Sequence, residues 1–448
     1  MESTGAHAAA PSAAQKVPAT EPAGGAPRWN VLARISLRFL FAYFVLYSFP
    51  FPLYEIPGSG RLLNKYTQMW HAIEVWTGKH VLHLSYPITV FRNGSGDTTS
   101  DYLQVLCFFV LAATVCLIWS LLDRRRAGYP RLYLWLRLYV RLVLGATLVG
   151  YGAAKVIKTQ FPPFFLSTLV EPYGESSPMG LLWSFMEYSA PYNVFTGAVE
   201  MLGGILLFVP RLATLGGLIT AAAMTNVFML NMSYDVPVKL FSFHLLAMSI
   251  FIVAPDLKRL AGFFILNRTV EAKVNPPLSS RVGLNRSILG LQLLLGLVFT
   301  ATSLHRTFTL SKMYGSLAPK PPLYGIWSVE EFTMDGEARP PLLTDNVRWQ
   351  RVIFDRFPGA VAMQKMSGER LYYPVDLDLP KKKLTLHRRA DPKWIADFTI
   401  EQPQPDSLVL QGQIDGHQIY AKLHQQDEAK FLLLNRGFHW INEYPFNR

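Results

Sequence analysis

The chain is short of cysteine and short of charge. Its two cysteines, Cys107 and Cys116, stand nine apart in one apolar run of the 448 residues, about 13 Å along a helix axis at the usual rise, so they cannot bridge each other. That spacing excludes an internal dithiol mechanism and a cysteine-rich metal site, and leaves two small apolar residues. Charged residues make up 17% of the chain, against 50% hydrophobic and 13% aromatic. An ordinary soluble domain is excluded by that balance, and a membrane protein is indicated. There is no phosphate loop, dinucleotide fingerprint, zinc-binding helix motif or serine elbow. The net charge of +12 does not make a nucleic-acid reader, because Lys and Arg gather at the ends of apolar runs and in the last third, where membrane topology accounts for much of the excess.

What is present is a series of long apolar runs. Positions 1–27, rich in Ala, Pro, Gly, Ser and Thr, read as a disordered tail and not as a signal peptide. Spans are expected at about 31–51, 101–122, 132–157, 192–209, 212–232, 236–254 and 288–304. A polar loop over 52–100 holds His71, His80 and His83. Only the last two are close, a surface pair without a third metal ligand. The aromatic segment 158–191 reads as an interfacial or re-entrant stretch over the bundle. Arg124, Arg125 and Arg126, with Lys258, Arg259, Arg268, Lys273, Arg281 and Arg286, mark cytoplasmic loops. Seven spans then put the N-terminus inside and the C-terminus outside.

Within the helical domain, 28–310, one face is lined by glycine. Arg141, Gly145, Leu148, Gly152 and Lys155 recur at intervals of three or four, so they share one side of a helix, and glycine there lets a neighbouring helix come close. Further on, Glu200 precedes Gly203, Gly204 and an apolar run. This combination resembles the DoxX family of small membrane proteins: an Arg, a Gly four on, a later G-x-x-K, then an acidic residue before a glycine-rich helix. The resemblance covers about 134–255 and implies a four-helix unit. It also implies a bacterial inner membrane and association with redox complexes that handle quinones.

Ionisable groups inside a membrane are costly, so each is a candidate functional residue. Here these are Arg141, Lys155, Glu200 and His244, with Asn226, Asn231, Tyr234, Asp235 and Lys239 near the outer ends of spans five and six. Glu200 falls about eight residues into its helix, roughly 12 Å deep at the usual rise, where Lys155 can reach it. The pair reads either as a lock between two helices or as a proton or quinone-headgroup site. His244 reads either as a neutral ring bonded to a carbonyl or hydroxyl, or as a proton relay to a quinone or a haem ligand. No second axial ligand stands out for haem. Asp235 and Lys239 read as a cap and its ion pair. Arg137 and Arg141 are placed to snorkel or to bind lipid phosphate.

From about 323 to 448 the pattern changes to short alternating segments separated by turn signals such as DG and PG, which predicts eight or nine antiparallel strands in a closed barrel. Gly325, Trp327 and a late Arg436 resemble the lipocalin-like arrangement, in which a Trp at the barrel base packs beneath an Arg from a late strand. The fold expected is therefore a mainly α membrane bundle of about seven helices followed by a small all-β domain outside the cytoplasm. Three functions stay open. One is a membrane subunit of a redox system, holding a quinone and needing a partner protein for electrons. Another is a lipid-binding or transfer protein using the barrel, and the third is a scaffold without catalysis.

Overall fold

The computed structural model describes residues 29–447, apart from positions 57, 92, 274 and 358. The tail expected over 1–27 lies outside the described residues.

Among the described residues, seven helical segments are long and apolar enough to cross a membrane. They are α1 (Val31–Ser48), α3 (Thr99–Leu122), α4 (Pro130–Val156), α7 (Ala190–Phe208), α8 (Ala213–Ser233), α9 (Lys239–Val253) continued by a short turn into α10 (Leu257–Phe264), and α11 (Val282–Tyr314). Between them lie α2 (Gly60–His80), α5 (Leu166–Leu169) and α6 (Pro178–Tyr188). The starts follow local chemistry. Asn30 accepts the Ala33 N–H at α1, a reciprocal Thr98–Asp101 capping box opens α3, and Ser177 and Ser189 cap α6 and α7.

Contacts between remote loops give the spans alternating directions. The Arg34 guanidinium at the start of α1 donates to the Arg124 and Arg126 carbonyls after α3. Asp256, past the end of α9, gathers Arg137 of α4, Thr214 of α8 and Lys273. These groups share one end of the bundle, the arginine end. The opposite end carries the loop after α2, the α4–α7 connection and the β-domain.

The bundle closes on its glycines. A Cβ on Gly204 would meet the Gly145 carbonyl oxygen at 2.9 Å, and one on Gly152 would meet the Met201 backbone N at 2.7 Å. The α4 and α7 backbones are thus in contact, and bulk at either site would prise them apart. Gly203 and Gly216 do the same between α7 and α8, where a Cβ on Gly216 would lie 3.0 Å from the Gly203 carbonyl.

Asp235 is not the cap of α9. Its φ of 52° turns the chain, and its carboxylate only pairs with Lys239 at 2.9 Å. The cap is Asp97, from the loop after α2, whose two oxygens accept the Lys239 and Leu240 backbone N–H groups at 2.8 and 2.9 Å. Pro237 lies before the helix, with its carbonyl accepting the Gly96 N–H. The loop over 52–100 also holds a 21-residue helix, α2, and α11 runs to 33 residues, well beyond the apolar core expected there.

The β-domain is a closed antiparallel barrel. Its strands are β1 (Gly325–Met334), β2 (Glu337–Ala338), β3 (Trp349–Phe354), β4 (Ala360–Lys365), β5 (Arg370–Asp378), β6 (Lys383–His387), β7 (Ile395–Gln404), β8 (Ser407–Ile414) and β9 (His417–Gln426). They pair in chain order, β2 being a short partner at one end of β1, and β1 pairs with β9 to close eight strands. Alternation along the strands fills the interior with side chains, among them Trp327, Phe332, Trp349 and Phe398. Arg436 is not on a late strand. It follows a last short helix, α12 (Leu432–Asn435), and lies over the Phe446 ring. The arginine buried in the barrel is Arg348, whose guanidinium donates to the carbonyls of Val329, Glu330, Arg339 and Trp349.

On the outside, Ile326, Ile353 and Ala362 stand opposite one another on β1, β3 and β4. They form an apolar patch covered by Leu166, Leu169 and Val170 around α5. Arg370 of β5 pairs with Glu171 at 2.6 Å, and Asp355 accepts from Ser167. The α4–α7 connection thus ties the barrel to the bundle.

Candidate functional site

The bundle contains a cavity of about 560 Å³ near the barrel end. Its walls come from α4, α7, α8 and the start of α9, and α6 with Phe161 roofs it through Leu182, Trp183 and Met186. The lining is mostly apolar and aromatic, as in sites for small lipophiles. The helices leave this space because α7 and α8 touch at their glycines near the arginine end. Toward the barrel end, bulky Phe195, Val199, Val227 and Leu230 line the gap instead. Phe195, Ala222 and Asn226 line the cavity and are also exposed, so it opens sideways between α7 and α8, onto the apolar flank of the bundle.

Two charges stand on its wall. Glu200 is the eleventh residue of α7, about 15 Å from its start at the usual rise, and both it and Lys155 are buried. The Lys155 ammonium donates to Glu200 Oε1, while Glu200 Oε2 is buried with no hydrogen-bond partner among the described residues. Gly197 makes the pair fit: a Cβ there would strike the Lys155 side chain at 2.6 Å. Together the pair can serve both kinds of group: the free carboxylate oxygen can accept a hydrogen bond from a ligand hydroxyl, and the ammonium can donate to a ligand carbonyl. Asn226 and Asn231 also line the cavity, and Asn231 donates to the Ser242 hydroxyl at 3.0 Å.

The remaining candidates lie elsewhere. His244 stands outside the cavity lining, with its ring stacked on Tyr47 at 3.9 Å between centroids. Its Nδ1 is 2.7 Å from the Leu240 carbonyl and its Nε2 2.6 Å from the Tyr43 hydroxyl. The carbonyl can only accept, so Nδ1 carries a proton, and in the neutral ring Nε2 then accepts from Tyr43. Arg141 donates twice to the Leu207 carbonyl near the C-terminal end of α7 and reaches Gln292 of α11, and Arg137 donates to the Ile252 carbonyl. Both arginines bond protein carbonyls at helix ends. Tyr234 packs against the apolar cluster that contains Phe161 and Val236, and Asp235, in the turn after α8, pairs with Lys239, the first residue of α9. Sequence reasoning missed the roof residues Phe161 and Trp183, whose only signal was the aromatic density of 158–191.

No protein-family profile matches the chain, and no solved structure matches it. One relative is an uncharacterized protein, YwoB of Bacillus subtilis (strain 168), 32% identical over 127 residues, which are 28% of this chain and 79% of that protein. Over those residues the chain belongs to the family of YwoB.

Proposed function

We propose that this is a bacterial plasma-membrane protein that takes a lipophile from the bilayer into its helical cavity and holds its polar head at Lys155 and Glu200. A quinone is the ligand this chemistry suits best. Its carbonyls would accept from Lys155, and the hydroxyls of its reduced form would donate to the oxygen of Glu200 that has no other partner. The observation that carries the reading is an apolar cavity with a sideways mouth and a buried charged pair on its wall. The DoxX-like pattern of Arg141, Gly145, Gly152, Lys155, Glu200, Gly203 and Gly204 agrees with it. The chain supplies no electron carrier motif, so electrons would pass through a partner protein. The basic loops at the arginine end would face the cytoplasm, which puts the barrel outside.

Lipid binding and transfer is the second reading, favoured by the same sideways mouth. It does not use the barrel as a container, because side chains fill the barrel interior. Mass spectrometry of lipophiles that co-purify in mild detergent separates the two. The wild type is expected to carry a quinone that Glu200→Gln and the mouth-blocking Ala222→Phe both lose while remaining folded. A phospholipid in place of the quinone moves the conclusion to lipid transfer. Equal retention of one lipophile by all three proteins overturns the cavity as its site.

A further inference from the structure

A second, larger hollow of about 1040 Å³ lies where the bundle meets the barrel. Lys158, Arg356 and Arg436 all line it. Some cations of the described chain meet carboxylates at ion-pair distance, as Arg137, Lys155, Arg370 and Arg388 do, and others, such as Arg141 and Arg348, have their guanidinium groups filled by backbone carbonyls. Among the described residues Lys158, Arg356 and Arg436 meet no carboxylate at that distance. Lys158 donates to the Glu187 backbone carbonyl at 3.2 Å, and Arg436 donates to the Asn442 amide oxygen at 2.6 Å. Arg356 Nε is buried with no hydrogen-bond partner. Three cations that gather in one hollow, none with a described carboxylate at ion-pair distance and one with a buried, unbonded guanidinium N–H, make a place for an anion. Glu428 and Glu187 also line it, but burial raises the Glu187 carboxyl to about 7, so near neutral pH it opposes an anion only in part.

The height of the hollow says which anion. Lys158 follows the last residue of α4 by two, and Ser189 and Pro191 flank the first residue of α7, so the hollow sits where spans leave the membrane. On its far side the C-terminal segment turns Phe438 (77%), Trp440 (90%), Ile441 (79%) and Tyr444 (84%) outward. Phe185 of α6, on the wall of the bundle cavity, is also 57% exposed. Aromatic side chains at span ends settle among lipid headgroups, and cations beside them pair with phosphate.

We propose that this hollow binds the phosphate of an anionic phospholipid through Lys158, Arg356 and Arg436, with the C-terminal aromatic segment seated in the headgroup layer beside it. The test is native mass spectrometry of the full chain in mild detergent, titrated with phosphatidylglycerol or phosphatidylcholine. The wild type is expected to retain phosphatidylglycerol at least tenfold better, and Arg356→Met with Arg436→Met is expected to remove that preference. Arg436→Met alone, outside both folded cores, is expected to weaken it severalfold, which guards against misfolding of the double variant. Equal retention of the two lipids by the wild type overturns the proposal. So does inorganic phosphate that competes at the concentration of the lipid, since the site would then take a free anion. Ala222→Phe, which blocks the bundle cavity, is expected to leave this preference unchanged, so the two sites fail or stand separately.

Discussion

The ion pair of Lys155 and Glu200 is buried against apolar side chains, where a lone charge is far more costly than a pair. Removing one partner of such a pair costs about 3–5 kcal/mol, whereas replacing both with apolar residues is often neutral. Glu200→Ala is therefore expected to lower the melting temperature clearly in detergent, and Lys155→Met with Glu200→Leu to regain most of the loss. A single variant as stable as the wild type would mean that water reaches the pair. Glu187 makes a different prediction. Its carboxyl is raised by burial, against the pull of Lys158 and Arg356, to about 7 from 4.5. The folded protein thus holds a proton that the unfolded chain releases, and stability falls as pH rises from about 4.5 through 7. Glu187→Gln is expected to lack that fall, and thermal melts of both proteins at pH 5 and pH 8 check it. At this scale the sequence showed which residues were costly and gave the pairs Lys155–Glu200 and Asp235–Lys239, but not the more remote contacts. Lys155 and Glu200 were legible because each stands on the same spacing as glycine. For His244 the reading as a ring bonded to a carbonyl or hydroxyl matches its contacts with Leu240 and Tyr43, but which hydroxyl was not legible, since Tyr43 and Tyr47 lie about two hundred positions away.

Elements are held by contacts of the same remote kind. Asp97 caps α9 from 142 positions upstream, while Asp235 looked like the cap because it was the nearest acid before the helix. Losing a cap costs about 1 kcal/mol, so Asp97→Ala is expected to speed amide exchange at Lys239 and Leu240 and to leave the far end of α9 unchanged. Unchanged exchange at those two amides would return the cap to another group. The α4–α7 contact is stricter. Gly204→Leu is expected to prevent assembly of the bundle, since its side chain would enter the Gly145 and Val149 backbone, whereas Gly290→Leu, with nothing near its Cβ position, is expected to fold. Detergent-stable yield by size-exclusion chromatography reads both. Spans were legible because a run of about twenty apolar residues matches the thickness of the hydrocarbon layer and exceeds what a soluble core helix needs. Helix α2 was hidden, as its sequence GRLLNKYTQMWHAIEVWTGKH mixes polar and apolar residues throughout.

For the whole molecule, the alternation of strands announced a barrel, and closure of β1 on β9 completes it. Its filled interior was not legible, because alternation tells which residues face inward and not how much room they leave. Reporter fusions after Leu122, Asp256 and Arg448 test the orientation: the first two are expected to read cytoplasmic and the third external. A cytoplasmic reading after Arg448 would invert the barrel. The segment between α4 and α7 then acquires a mechanical meaning. One of its faces roofs the bundle cavity through Phe161, Leu182 and Met186, and its middle is fastened to the barrel by Ser167, Val170 and Glu171. The barrel is therefore fastened like a clasp to the roof of the cavity. A force that pulled the barrel away would loosen the cavity from above, and a molecule held in the cavity would stiffen the grip outside.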